Sequence, residues 1–140
     1  MKILFDTNIL LDIFLMRDEL YKSSSLLVDY VVKGKMEGWL SGISVTTIYY
    51  LISKALTRKE AEKHIGSLFE IFHICSVNRV ILEESLKSNF KDYEDAVQYQ
   101  SALNSGLDGI LTRNKRDFKK STLPVYDPPE LIKALKVLRE

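Results

Sequence analysis

Lys2-Ile3-Leu4-Phe5-Asp6-Thr7-Asn8-Ile9-Leu10-Leu11 is the stretch on which the fold turns. An apolar run of strand length without alternation predicts a strand buried on both faces, with Asp6 at its carboxyl end. The pattern then resumes as a helix beginning near Thr7. In open α/β sheets ligands collect at the carboxyl ends of strands, which makes Asp6 a candidate site residue. It is equally a candidate N-cap, since the first N–H groups of the helix need an acceptor. From these ten residues both readings stand.

Working outward, Asp18-Glu19 opens a helical pattern through Leu20, Leu26, Leu27, Tyr30 and Val31, closed by Lys33-Gly34. Glu37 to Ser41 follows as a short strand. Ser44 or Thr46 is expected to cap a helix running to about Ala55-Leu56, and Thr57 to cap the next, through His64, Leu68 and Ile71. Phe72 to Cys75 forms a third strand candidate. Val80-Ile81-Leu82 leads a helix ending near Asn89, and Asp92 opens another reaching about Asn104, with Gly106 beyond it. Gly109-Ile110-Leu111-Thr112 and Pro124-Val125-Tyr126 supply two more strands. Asp127-Pro128-Pro129-Glu130 starts a terminal helix with proline in its favoured first turn. Strands separated by helices demand right-handed crossovers. The expected architecture is therefore an α/β three-layer sandwich with a central, mainly parallel sheet, a single domain over residues 1–140.

Composition narrows the class. The chain has 140 residues, 46% apolar and 28% charged, which is ordinary for a globular domain large enough for its own core. Neither a spanning segment nor the basic-then-apolar order of a signal peptide is present, so a cytoplasmic protein is expected. The single cysteine, Cys75, excludes an internal disulfide and is expected to be buried in a strand. Twenty basic against nineteen acidic residues give no overall bias toward nucleic acid. The local run Arg113-Asn114-Lys115-Arg116-Asp117-Phe118-Lys119-Lys120 is denser in positive charge, and such a run is either a solvated loop or a track for a phosphate backbone.

In a parallel sheet, residues leaving the strands share one edge. Asp6 leaves the first strand, Thr46-Thr47 follow the second, and Thr112, Asn114 and Asp117 follow the fourth. Asp95 lies in the first turn of the preceding helix, beside Asp92 and Glu94. Crowded carboxylates repel unless a divalent cation neutralises them, and hard oxygen ligands suit Mg²⁺ or Mn²⁺. Metal-assisted phosphodiester cleavage is the matching chemistry. Capping accounts for Asp92 but leaves Asp95 over, because a helix needs one cap. Asp12 is expected on a solvated helix face, and His64 and His73 in packing or surface roles. Tyr49-Tyr50 sits within a helix as packing, with one hydroxyl able to face the cleft.

Taken in order, Ile3-Leu4-Phe5-Asp6-Thr7-Asn8, Tyr93-Glu94-Asp95-Ala96 and Leu111-Thr112-Arg113-Asn114 followed by Asp117-Phe118 resemble the PIN-domain family of small metal-dependent nucleases, including the VapC-like toxins. The resemblance spans essentially the whole chain. Thr47-Ile48-Tyr49-Tyr50 is similar to a bacterial subgroup of that family. It implies an α/β sandwich that cleaves RNA using Mg²⁺ or Mn²⁺, often as a homodimer, and paired with an antitoxin protein in the toxin members. Residue by residue it implies Asp6 and Asp95 as metal-binding acids and Asn8 and Thr112 as orienting polar groups. Two positions depart: Thr47 stands where many members carry a glutamate, and Asn114 where a fourth acid is usual. Asp117 is expected to substitute, with Glu94 or Asp92 adding an oxygen, around one cation. Arg113, Lys115, Arg116, Lys119 and Lys120 would then hold the phosphate backbone.

Two other functions compete. A degenerate PIN domain would bind RNA or a protein partner without cutting, as Thr47 and Asn114 suggest. An aspartyl phosphotransferase would also keep an acid after its first strand. Such enzymes carry Asp-x-Asp, whereas Asn8 occupies the second position here.

Overall fold

Ile3, Leu4 and Phe5 are wholly excluded from solvent, as a strand covered on both faces requires. In a computed structural model, which describes residues 1–17, 19 and 21–139, they belong to β1 (Lys2–Phe5), the centre of a five-stranded sheet. β1 is followed by α1 (Thr7–Leu15), α2 (Tyr21–Val32), β2 (Glu37–Ser41), α3 (Gly42–Ala55), α4 (Arg58–Ile71) and β3 (His73–Cys75). The second half adds α5 (Arg79–Lys87), α6 (Tyr93–Asn104), β4 (Gly109–Leu111), a 3₁₀ turn over Lys115–Phe118, β5 (Val125–Tyr126) and α7 (Pro128–Arg139). The expected helix opening at Asp18 and Leu20 lies outside the described residues. Its continuation, α2, is present.

All pairings are parallel, in the order β3-β2-β1-β4-β5, with Leu4 opposite Trp39 on one side and Ile110 on the other. The order reverses at β1. After β1 the chain moves outward through β2 and β3, then returns to the other flank of β1 as β4. That reversal opens a crevice at the carboxyl ends of β1 and β4, the usual ligand position in such sheets.

Alternation along each strand divides the core into two layers. Ile3, Phe5, Leu40 and Leu111 pack with α1, α2, α3, α4 and α7, whereas Leu4, Cys75 and Ile110 pack with Tyr99, Ala102, Leu107 and Phe118 on the other face. This is the expected three-layer α/β sandwich. Gly38 permits a close approach on the first face, since a Cβ there would stand 2.6 Å from the Phe72 ring. Phe72 in turn meets Phe5 edge-on at 5.0 Å. No helix among the described residues is long and apolar enough to cross a membrane.

Three local expectations are corrected. The cap of α3 is Ser41, whose Oγ accepts from the Ile43 N–H at 3.4 Å, and Ser44 and Thr46 lie inside the helix. A strand that runs straight into a helix needs no intervening loop, so the cap falls at the strand's last residue. The basic run 113–120 is not a featureless loop, because Phe118 is buried and anchors the 3₁₀ turn. Asp12 is not solvated. It is 1% exposed and faces Arg17 at 3.2 Å and Arg113 at 3.4 Å. Helical periodicity places it by its own helix alone, but a cation from the segment after β4 covers it. His64 stacks on Phe14 and His73 on Trp39, the packing roles expected of them.

Candidate functional site

Asp6 leaves β1 in extended conformation and stands at the N-cap of α1, yet its side chain makes no capping hydrogen bond. Its carboxylate turns inward. Gln98 Nε2 donates to Oδ1 at 3.0 Å and Thr112 Oγ1 to Oδ2 at 2.8 Å. At 4% exposed, this is a buried acid held in place by neutral donors. Burial pushes its pKa above the ordinary 3.8, opposed by the Gln98 and Thr112 hydrogen bonds and by the Asn8 backbone N–H. Of the two readings open in the sequence, capping is left only with the electrostatic favour of the Asn8 N–H, since the carboxylate's hydrogen bonds go to Gln98 and Thr112.

Gln98 connects the acids. It lies on α6 one turn beyond Asp95, so both side chains project from the same helix face. Its Nε2 also approaches Asp95 Oδ1 at 3.4 Å, which sets Asp6 and Asp95 on a common nitrogen. Its Oε1 accepts from the Thr7 backbone N–H at 3.2 Å and from Ser44 Oγ at 3.3 Å. These partners settle the orientation of the amide: reversing it would turn an oxygen toward two carboxylates.

Asp92 caps α6 through the Asp95 N–H at 3.1 Å, as expected. Asp95 is left free of that duty. Burial pushes its carboxyl up to about 8, and the charges of Asp6, Asp92, Asp117 and Glu94 act in the same direction. Glu94 Oε1 accepts from Thr47 Oγ1 at 2.7 Å, and its Oε2 lies 3.1 Å from Thr7 Oγ1. Thr47 thus anchors an acid supplied by α6. Thr7 Oγ1 also meets Ser44 Oγ at 2.7 Å, tying α1 to α3 beneath the site.

These groups border a cleft of about 220 Å³ lined by Asp6, Asn8, Thr47, Glu94, Asp95 and Asp117, with Asp92 and Thr7 at its sides. Thr112 stands behind Asp6, and Asn114 reaches the site through its backbone N–H, which donates to Thr112 Oγ1 at 3.1 Å. Arg113 is engaged by Asp12, and Lys115 Nζ by Glu130 at 3.0 Å. Arg116, Lys119 and Lys120 line an adjoining cavity. Sequence reasoning missed Gln98, Thr7 and Ser44. The spacing Asp95 to Gln98 on one helix was the available signal, but nothing local showed that the amide faces the sheet.

Hard carboxylate oxygens around an open cleft are a fit for Mg²⁺ or Mn²⁺, which bind through one or two carboxylates and keep several waters. Among the described residues, no three carboxylate, histidine or cysteine side chains form a ready-made cage. Asp6 and Asp95 are the pair that the hydrogen bonds bring together.

Comparison with known proteins is consistent along the chain. The family model described as PIN domain matches residues 2–116. Ribonuclease VapC1 of Aquifex aeolicus (strain VF5) is 30% identical over 119 residues, 81% of this chain and 82% of that protein. Among solved structures, VapC20 of Mycobacterium tuberculosis, described as a sarcin-ricin loop cleaving toxin, superposes with a TM-score of 0.69 at 10% identity, covering 84% of this chain and 94% of its own. VapBC-1 from nontypeable Haemophilus influenzae gives 0.68 at 18% identity, covering 92% and 99%. At such identities the structures share the fold.

Proposed function

The chain belongs to the PIN-domain family, and from that premise we propose that it is a divalent-metal-dependent endoribonuclease, the toxin of a toxin–antitoxin pair. The observation that carries the proposal is the convergence of Asp6 and Asp95 on Gln98 at a cleft also lined by Glu94 and Asp117. Support for RNA as substrate comes from the relative named ribonuclease VapC1. Support for an antitoxin comes from structural neighbours described as VapBC and toxin-antitoxin complexes. The protein is proposed to act in the cytoplasm, as a single unit over residues 1–140, and as a homodimer.

Asp6 and Asp95 would hold a Mg²⁺ or Mn²⁺ ion, with Glu94 and Asp117 as further oxygen donors. When bound, such an ion supplies charge neutralisation for the phosphodiester and activation of water. The protein's own groups prepare that centre. Gln98 and Thr112 orient Asp6, and Gln98 steadies Asp95 from the same nitrogen. Burial of Asp6 and partial burial of Asp95 limit the solvent screening between them. Burial and the neighbouring acids raise the Asp95 carboxyl, so cation binding there competes with its proton. Glu94, fixed by Thr47, brings an acid to the side of the cleft where the chain itself has threonine.

The test is RNA cleavage with Mg²⁺ or Mn²⁺, with chelator, and with Asp6→Asn. Metal-dependent cleavage lost in the variant supports the proposal. A second reading, a PIN domain that binds RNA or protein without cutting, draws on the lack of a ready-made carboxylate triad among the described residues. RNA binding without cleavage under any of the divalent ions would favour it.

A further inference from the structure

A second cavity, of about 100 Å³, adjoins the acid cleft and shares Asp92, Asp95 and Asp117 with it. Its other walls differ in character. They comprise Asn89, Phe90 and Lys91 from the turn between α5 and α6, and Arg116, Lys119 and Lys120 from the 3₁₀ turn and its end. The two segments are fastened together, because Lys120 Nζ donates to the Asn89 carbonyl at 3.0 Å, and Asn89 adopts φ 62°, a conformation asparagine tolerates. Phe90 is half-buried and braced by Tyr99, stacked at 5.2 Å, and by Phe118, edge-on at 6.2 Å.

The cations here are uncommitted. Arg113 and Lys115 are engaged by Asp12 and Glu130, whereas the side chains of Lys91, Arg116 and Lys119 make no ion pair or hydrogen bond among the described residues. Three free cations gathered around one cavity beside carboxylates call for an anion. A rigid aromatic wall calls for a flat π-face. Both belong to a nucleotide.

We propose that this cavity is a subsite for a nucleotide flanking the cleaved bond, its phosphate held by Lys91, Arg116 and Lys119 and its base laid against Phe90. The inference rests on the reading of the acid cleft as a nuclease centre. It revises the basic track legible in the sequence: Arg113 and Lys115 leave it, and Lys91, from a segment 25 residues earlier than Arg116, joins it.

The experiment measures binding of a short fluorescein-labelled single-stranded RNA by anisotropy, in chelator, across a salt series. Lys91→Ala/Arg116→Ala/Lys119→Ala should weaken binding and flatten the salt slope by about 0.7, the share of the one single-strand phosphate that is no longer neutralised. Lys22→Ala/Lys59→Ala/Lys63→Ala, with the same change in net charge and no residue in either cavity, should leave the slope alone. Phe90→Leu should weaken binding at least about fivefold with an unchanged slope. Equal flattening in both triple variants, or none in the first, overturns the subsite. Displacement of the RNA by an oligoglutamate peptide, with Phe90→Leu binding like wild type, overturns it in favour of an acidic protein partner. Cleavage by the wild type in Mn²⁺ is followed separately. Its absence, with the slope change as expected, ends the nuclease reading and upholds the nucleotide site. Its presence, with no slope change, does the reverse.

Discussion

Gln98 Nε2 lies 3.0 Å from Asp6 Oδ1, with both side chains withdrawn from solvent and 92 positions apart in the chain. The same amide group touches Asp95, Thr7 and Ser44, so one side chain couples α6 to β1, α1 and α3 at the mouth of the cleft. Gln98→Ala removes partners from several buried groups at once. Stability should fall by about 1–3 kcal/mol, and Mn²⁺ binding should weaken roughly 10- to 100-fold, as for other groups that orient ligands from behind. Thermal unfolding and calorimetric titration with Mn²⁺ check the two effects. Unchanged Mn²⁺ affinity would deny Gln98 a positioning role.

Asp6→Asn should cost cleavage at least about 100-fold, the upper end of what removing a supporting group costs, without costing the fold. The side chain's hydrogen bonds go to Gln98 and Thr112 rather than to the helix end, and its charge is opposed by burial and by Glu94. Thermal unfolding without metal should therefore be unchanged or raised. Mn²⁺ should stabilise the wild type and do little for the variant, since only a ligand bound by the folded form shifts the equilibrium. A variant that unfolds far more easily in the absence of metal would make Asp6 a structural residue.

Asp95 sets the pH dependence of the metal-free protein. Its folded pKa of about 8 exceeds the ordinary 3.8, so between those values the folded state holds a proton that the unfolded chain has lost. Stability is then fullest below the ordinary value with respect to this group, and declines as pH rises toward the folded one. Asp6, raised in the same direction, adds to the slope. Urea unfolding midpoints across that range, compared with Asp95→Asn, measure the effect. The variant should show a flatter profile, and an identical slope in both proteins would contradict the assignment.

Arg113→Ala separates structure from nucleic-acid contact. Asp12 is nearly inaccessible and would keep Arg17 alone of the two arginines that face it. A loss of about 1–3 kcal/mol is expected from leaving a buried carboxylate less well satisfied. RNA affinity, measured below the unfolding range, should keep its salt slope. A reduced slope with intact stability would return Arg113 to the phosphate track.

Self-association is expected from α5 and the start of α6, where Val80, Leu82, Leu86 and Tyr93 are exposed. Light scattering at micromolar concentration should give twice the chain mass, and Leu86→Lys should lower it. A monomeric wild type would overturn the expectation.

The strands, their parallel sense and the positions of most helices were legible because each is coded locally. Apolar runs of strand length, capping residues such as Thr57 and Asp92, and the left-handed Gly34 and Gly106 all act within a few residues. The start of α3 was misplaced where Ser41, Ser44 and Thr46 compete as caps within one short segment.

Asp6 and Asp95 were legible as acids leaving a strand end and beginning a helix, positions that a parallel sheet brings to one edge whatever the details of packing. Tertiary structure alone decided the partners of those acids. Gln98 faces Asp6 only because the order reverses at β1 and lays α6 against that strand end. Asp12 is met by Arg113 from the segment after β4 as well as by the nearby Arg17. Periodicity reports which side of an element is apolar, whereas the identity of the group that meets a polar atom there depends on contacts between segments about a hundred residues apart. The sequence by itself determined the sheet and its acids, and the packing of the helices upon it determined which of the surrounding polar and charged groups hold them.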